Sequence, residues 1–381
     1  MMQAQQAELE EKWARVRTLL EEEGAQALLL NQRPDIAWFT GGADVHVARD
    51  EAPVAALLIT AEKVFILTTE IEAARLQREE FAPVAGSTIW QINARPWTRT
   101  LEEQLETIVS GRAVLTDDPA FAAAAAAAGN TLWKYRPEKI AALRYPLTPA
   151  EVERYRQGGR LVARALEEAA RAVRRGQSEL EIAADLDRRL QERGLEPTVT
   201  LVAADDRIRL FRHPIPTGTR VLSRCMLVTC ARYFGLTIAA TRLVQLGRLP
   251  VDLERRHQAV LQVEAAMLAA SRPGVTMAEV YQTAVQAYAA QGFPGEERLH
   301  HQGGTIGYRN RDYRAEPGST LRIHAWQAVA WNPSITGTKT EDTFLVTESG
   351  LELLSAGETG WPMINVNVNG VQIPRPAILQ L

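Results

Sequence analysis

Apolar residues at Leu9, Trp13, Val16 and Leu20 keep the three- and four-residue spacing of one helix face. Unbroken apolar runs follow at 26–30, 53–59 and 63–69, each with the length of a buried strand. Helix and strand patterns in alternation predict a mixed α/β first domain. Residues 121–128 (FAAAAAAA) are low in complexity, but alanine is the best helix former, so a short packed helix is expected rather than a linker. Two prolines interrupt the pattern at Tyr145-Pro146-Leu147-Thr148-Pro149. A domain boundary is expected there, giving domains over 1–146 and 147–381.

The second domain opens with a capping box at Thr148 and Glu151, with proline at the first helical position, and a helix is predicted through about Val173. Ser178 and Glu181 make a second box, preceded by Arg174-Arg175-Gly176-Gln177. Ninety-eight residues after Ser178 the pattern returns at Thr276 and Glu279, preceded by Arg272-Pro273-Gly274-Val275. The two helices end at Arg193-Gly194 and Gln291-Gly292. Strand-like sequence follows each, and 225–233 is expected to pair with 236–246 about Phe234-Gly235. A second pair is expected between 320–331 and 341–347, with a turn near Thr336-Gly337-Thr338. This is the signature of an internal duplication, with a curved sheet backed by helices and a site where the halves meet.

Composition narrows the function. The 381 residues are 46% hydrophobic and 23% charged, with a formal net charge of -3, which suits a globular protein and argues against a general nucleic-acid binder. Arg171, Arg174 and Arg175, like Arg255 and Arg256, read as solvated helix faces. No run approaches the ~20 apolar residues of a membrane span, and the N-terminus lacks a signal-peptide layout, so a cytoplasmic protein is expected. Cys225 and Cys230 have no companion pair for zinc and are expected as buried thiols in a strand.

Four segments carry a family resemblance: RHPIPT at 212–217, ATRLV at 240–244, the glycine cluster at 303–307 and KTEDTFLV at 339–346. In them the second domain resembles the pita-bread fold shared by aminopeptidase P, prolidase, methionine aminopeptidase and creatinase. The first domain resembles the one that accompanies it in aminopeptidase P and creatinase. The resemblance implies an α/β (α+β) protein with pseudo-twofold duplicated halves, and a homodimer.

The metal-dependent members hold two divalent ions with two aspartates, one histidine and two glutamates, since hard ions want anionic oxygens. Carried onto this sequence, those positions fall on Val228 (or Thr229, if the register slips by one), Ala239, Gly304, Asn332 and Glu341. Only the last is a carboxylate. The resemblance to creatinase, which cleaves a C–N bond without metal, then implies His213 as base and acid and Glu341 as orienter of a cationic group. Arg242, Arg311 and Lys339, with Arg309 nearby, would clamp an anion, with Tyr308, His300 and His301 near the substrate and Trp331 in the core. Backbone amides at Gly303-Gly304 would stabilise an oxyanion. No cofactor is implied. The expected activity is metal-independent hydrolysis of a C–N bond in a small anionic or zwitterionic molecule. Two alternatives stay open: a silent relative that binds a peptide or partner, and a metal-dependent Xaa-Pro peptidase.

Overall fold

The computed structural model describes residues 2–48, 52–84, 87–368 and 370–381. The chain divides into two compact units, Met1–Glu151 and Val152–Leu381. In the first, strands β1 (Ala27–Leu30), β2 (Ala55–Thr60), β3 (Val64–Thr69), β4 (Trp90–Arg95), β5 (Val114–Thr116) and β6 (Trp133–Tyr135) form a sheet in the order β4-β3-β2-β1-β5-β6. Pairings β1–β2 and β2–β3 are antiparallel, and the others are parallel. The three apolar runs are strands buried on both faces, which is why they carry no polar alternation. The alanine run lies in the helix Pro119–Ala127, whose first amides are met by Asp118 Oδ1, 2.8 Å from Ala120 N.

In the second unit the duplication extends to individual contacts. Both capping boxes form, Ser178 with Glu181 and Thr276 with Glu279, and each opens an amphipathic helix, Glu179–Gln191 and Met277–Ala290. Gly176 and Gly274 both turn at φ +87°. The amide of Gly176 donates to Val221 O and that of Gly274 to Ile323 O, both at 2.8 Å. Arg220 and Arg322 each donate back to the carbonyl of the partner glycine at 2.6 Å.

Each half supplies a sheet. The first holds β7 (Glu196–Ala204), β8 (Arg224–Tyr233) and β9 (Leu236–Gln245). The second half begins with β10 (Gly303–Ile306) and β11 (Gln327–Trp331). A short ribbon of β12 (Ser334–Ile335) and β13 (Thr338–Lys339) precedes β14 (Asp342–Val346) and β15 (Leu351–Leu353). The remaining strands are β16 (Met363–Val368), β17 (Val371–Pro376) and β18 (Leu379–Gln380), and the sheet orders are β18-β9-β8-β7 and β10-β11-β14-β15. The β8–β9 hairpin turns on Phe234 and Gly235 at φ 48° and 79°, the paired positive values of a tight two-residue turn. The strand expected over 320–331 is shorter: β11 starts only at Gln327, because Trp326 sits at φ 59° and breaks the extended chain. Cys225 and Cys230 are buried free thiols on β8. No helix among the described residues is long and apolar enough to cross a membrane.

The halves join where the Thr241 amide donates to Glu341 O at 2.9 Å and the Thr237 amide to Gly307 O at 2.8 Å. That seam carries the site.

Candidate active site

Side chains alternate in extended chain, and the segment Lys339-Thr340-Glu341-Asp342 sorts its charges accordingly. Lys339 and Glu341 meet each other, with Nζ donating to Oε2 at 2.8 Å. Thr340 and Asp342 point away, into a buried ion network. There Thr340 Oγ1 donates to Glu264 Oε2 at 2.6 Å, and Asp342 accepts from Arg242 at 3.0 Å and Arg375 at 2.9 Å.

Arg311, on the irregular segment after β10, completes the Glu341 cluster by donating from Nη2 to Oε1 at 2.7 Å. Each carboxylate oxygen therefore has its own protein cation, and Thr241 Oγ1 donates to Oε2 at 3.3 Å. Burial alone would push Glu341 up, but Lys339 and Arg311 outweigh it and hold the carboxyl at about 2. This corrects the expected role of Glu341: its oxygens are already taken by an ammonium and a guanidinium of the chain itself.

Arg242 is also corrected. It lies on β9 next to Thr241, so alternation sends it to the opposite face, where it is 2% exposed. Its guanidinium donates to Asp342 Oδ1, to Glu167 Oε1 at 3.2 Å and to Ser355 O at 3.2 Å. It clamps two buried carboxylates of the scaffold. Tyr308, at 1% exposure, presents almost no surface to a ligand, and Trp331 is a core residue whose Nε1 donates to Ser271 Oγ. Arg309 is exposed.

His213, His300 and His301 are drawn together from two distant segments. His213 Nε2 lies 3.1 Å from His300 Nε2, and the rings of His300 and His301 stack with centroids 4.5 Å apart. His300 is held from behind by Gln302, which donates to the His300 carbonyl at 2.6 Å and accepts from Tyr288 OH at 3.0 Å. The segment of His213 is anchored by its neighbour Arg212, which donates to Glu296 Oε2 at 2.8 Å and to Thr336 Oγ1 at 3.0 Å. Arg212 stood in the RHPIPT motif, but only the fold shows that it pins His213 to the other half.

All three imidazoles are kept neutral. Burial, then Lys339, lowers His213; burial pushes His300 down to about 2, and burial with Arg311 takes His301 to about 4. His213 remains exposed while His300 is buried. His300 Nδ1, Arg311 Nε and Asn332 Oδ1 are buried without a hydrogen-bond partner among the described residues. Each orphan is costly unless a ligand meets it.

The positions that the resemblance assigns to paired metal ions hold the following residues. Val228 stands opposite Thr241 in the β8–β9 pairing and packs with Met226 and Leu243, whereas Thr229 falls on the other face. Ala239 is fully buried on β9. A Cβ on Gly304 would lie 2.0 Å from Tyr313 O, so no histidine side chain fits there without strand movement. Asn332 is neutral, and Glu341 already carries two cations. Hard divalent ions require several anionic oxygens, and this donor set supplies one engaged carboxylate. The amides of Gly303 and Gly304 lie on β10, where Gly304 pairs with Ala330 and Arg314.

Comparison with known proteins agrees with this architecture. The family model for metallopeptidase family M24 matches residues 153–348, and that for the creatinase/prolidase N-terminal domain matches residues 12–145. An agropine synthesis cyclase of Rhizobium rhizogenes is 31% identical over 118 residues, covering 29% of this chain and 30% of that protein. The matched segment thus spans about a third of the length of such curated relatives. An X-Pro aminopeptidase from Thermotoga maritima has a similar structure, with a TM-score of 0.76 at 17% identity over 97% of this chain and 99% of that one. The N-terminal domain of the FACT subunit SPT16 from chickpea aligns at 0.70 and 10% identity, covering 93% of this chain and 97% of that one. These two likenesses establish the pita-bread fold.

Proposed function

Because the chain belongs to metallopeptidase family M24, we propose that it hydrolyses a C–N bond in a small anionic or zwitterionic molecule without the paired metal ions of that family. One observation carries the reading. Where metal ions would sit on the retained carboxylate, Arg311 and Lys339 occupy its two oxygens, beside a neutral, exposed His213.

The tautomer suited to base chemistry has His213 Nε2–H donating to His300 Nε2, which leaves the Nδ1 lone pair for a water proton. The water oxygen bonds to the substrate carbon, the proton passes to His213, and His213 returns it to the leaving nitrogen as the C–N bond breaks. Glu341 holds Arg311 and Lys339 in place. Arg311 Nε meets the substrate's anion, and Asn332 Oδ1 accepts from a substrate N–H. The orphaned donor and acceptor together match a zwitterion.

Turnover is to be sought among small amides, amidines and carbamoyl compounds bearing a carboxylate, and among Xaa-Pro peptides, with EDTA and with added Mn2+. The proposal expects hydrolysis that survives EDTA and falls ~100-fold or more in His213→Ala. Cleavage of Xaa-Pro peptides that EDTA abolishes would instead establish the metallopeptidase reading. Absence of turnover with ligand binding retained in His213→Ala would establish a silent binder.

The likeness to a protein named as a cyclase favours a second reading at the same site. Proton removal by His213 from a nucleophilic group within the substrate, in place of water, would let that group bond to the same carbon and close a ring, the C–N bond breaking as His213 returns the proton to the leaving nitrogen. Solvent 18O enters the product of hydrolysis and not that of ring closure.

A further inference from the structure

The geometry points to His213, His300 and His301 as a site for one borderline transition-metal ion, Zn2+ being the reference case, distinct from the family's pair. Two imidazole nitrogens that share an ion at about 2.0–2.1 Å lie about 3.0–3.4 Å apart. His213 Nε2 and His300 Nε2 are 3.1 Å apart. One ligand atom from each of the three rings falls within 4.8 Å of the others. The ring centroids are separated by 4.5, 4.8 and 6.0 Å, close to the ~5 Å expected of rings radiating from one ion.

Ligation makes two local demands: the proton between His213 Nε2 and His300 Nε2 must move to an Nδ1, and the His301 ring must change its tautomer. Gly303 N–H donates to His301 Nδ1 at 3.2 Å, so the neutral ring carries its proton on Nε2. An ion taking Nε2 moves that proton to Nδ1, at the cost of one long hydrogen bond. Three nitrogens leave a fourth position open toward solvent on the exposed His213 side.

Donor type sets the selectivity. Lys339, Arg311 and Arg314 act on these rings and disfavour every divalent ion alike, partly offset by Glu341. An all-imidazole set suits Zn2+, Ni2+, Co2+ and Cu2+, whereas Mn2+ and Mg2+ want carboxylates. This contrasts with the family site, where oxygen ligands predominate. An ion on His213 Nε2 also moves that ring's proton to Nδ1, the atom that serves as base above, so loaded protein should be inhibited if His213 is that base.

The test is metal content by mass spectrometry after dialysis of the full chain against Zn2+, Co2+ or Mn2+, with Co2+ absorption and a Zn2+-dependent rise in Tm as further readouts. One equivalent of Zn2+ or Co2+ and no Mn2+ is expected. His300→Gln and His301→Gln should each weaken Zn2+ at least ~100-fold, since loss of mere outer partners already costs 10–100-fold. Asn332→Ala should bind as wild type. Two equivalents, preference for Mn2+, binding lost in Asn332→Ala, or binding kept in the His300→Gln/His301→Gln double variant would each overturn the site, as would no binding at all. Metal content is read without activity, so failure here is separable from failure of the hydrolase reading, which rests on turnover in EDTA.

Discussion

Glu341→Gln removes the one charge that holds Lys339 and Arg311. The carboxylate is 1% exposed, with Arg311 Nη2 at 2.7 Å on one oxygen and Lys339 Nζ at 2.8 Å on the other. Holding the carboxyl at about 2 against an ordinary 4.5 corresponds to about 3 kcal/mol in favour of the ionised form. This agrees with the ~3–5 kcal/mol measured when one partner of a buried pair is removed. The variant should therefore lose about 3 kcal/mol at pH 7, or roughly 6–12 °C in the Tm of the second unit. Since a chain with two compact units need not unfold in one step, the loss is best followed by hydrogen exchange of β9 and β14 amides across a urea series. The folded carboxyl is depressed, so its contribution is complete above about 4.5 and disappears as pH falls toward about 2. The gap between wild type and variant should narrow over that window. It should be the same in EDTA. A gap under ~0.5 kcal/mol at pH 7, or one that vanishes in EDTA, would refute the ion-pair account and make Glu341 a metal ligand.

Three further outcomes follow from the same contacts. Arg242→Met leaves Glu167 and Asp342 buried without their shared cation, and should cost ~3–5 kcal/mol while leaving KM of the folded fraction unchanged, as thermal melts and kinetics would show. His257 is buried between Thr338 Oγ1 at 2.8 Å and Pro376 O at 3.0 Å, and burial pushes it down to about 4. The unfolded ring takes up a proton that the folded one refuses, so stability should fall by about 3 kcal/mol as pH drops from about 6.5 to 4, and His257→Gln should flatten urea titrations in that range. Gly304→His restores a histidine where the family has one, but its Cβ meets Tyr313 O at 2.0 Å, so a lowered Tm and no gain in Mn2+ content are expected.

The local signals in the chain were legible because they act over three or four residues. The capping boxes at Ser178 and Thr276 and the Phe234-Gly235 hairpin are fixed by short-range hydrogen bonds and φ preferences, and they stand where the pattern put them. Which face a strand residue takes is a different matter, since it depends on partners a hundred positions away. Arg242 was adjacent to the right motif and on the wrong side of β9, because a one-residue step reverses every side chain. His213 and His300 were both readable as candidates, but their 3.1 Å contact joins residues 87 positions apart, and no periodicity encodes it. The anchoring of Arg212 by Glu296 is hidden for the same reason.

The alternation along Lys339–Asp342 also separates two charge systems on the two sides of one strand. On the buried side, Glu167, Glu264 and Asp342 are bound by Arg242 and Arg375, an arrangement with one more carboxylate than guanidinium. Burial raises Glu264 to about 7, against the pull of Arg375 and with the help of Asp342, so a proton on Glu264 can balance that excess. On the site side the order is reversed, with one carboxylate under two cations. The excess carboxylate of one face and the excess cation of the other are opposite in sign. The scaffold network is buried, and its residues lie on the face opposite Val228, Thr241 and Glu341. The site face thus sets two cations and one carboxylate beside three imidazoles that burial shifts toward the neutral form.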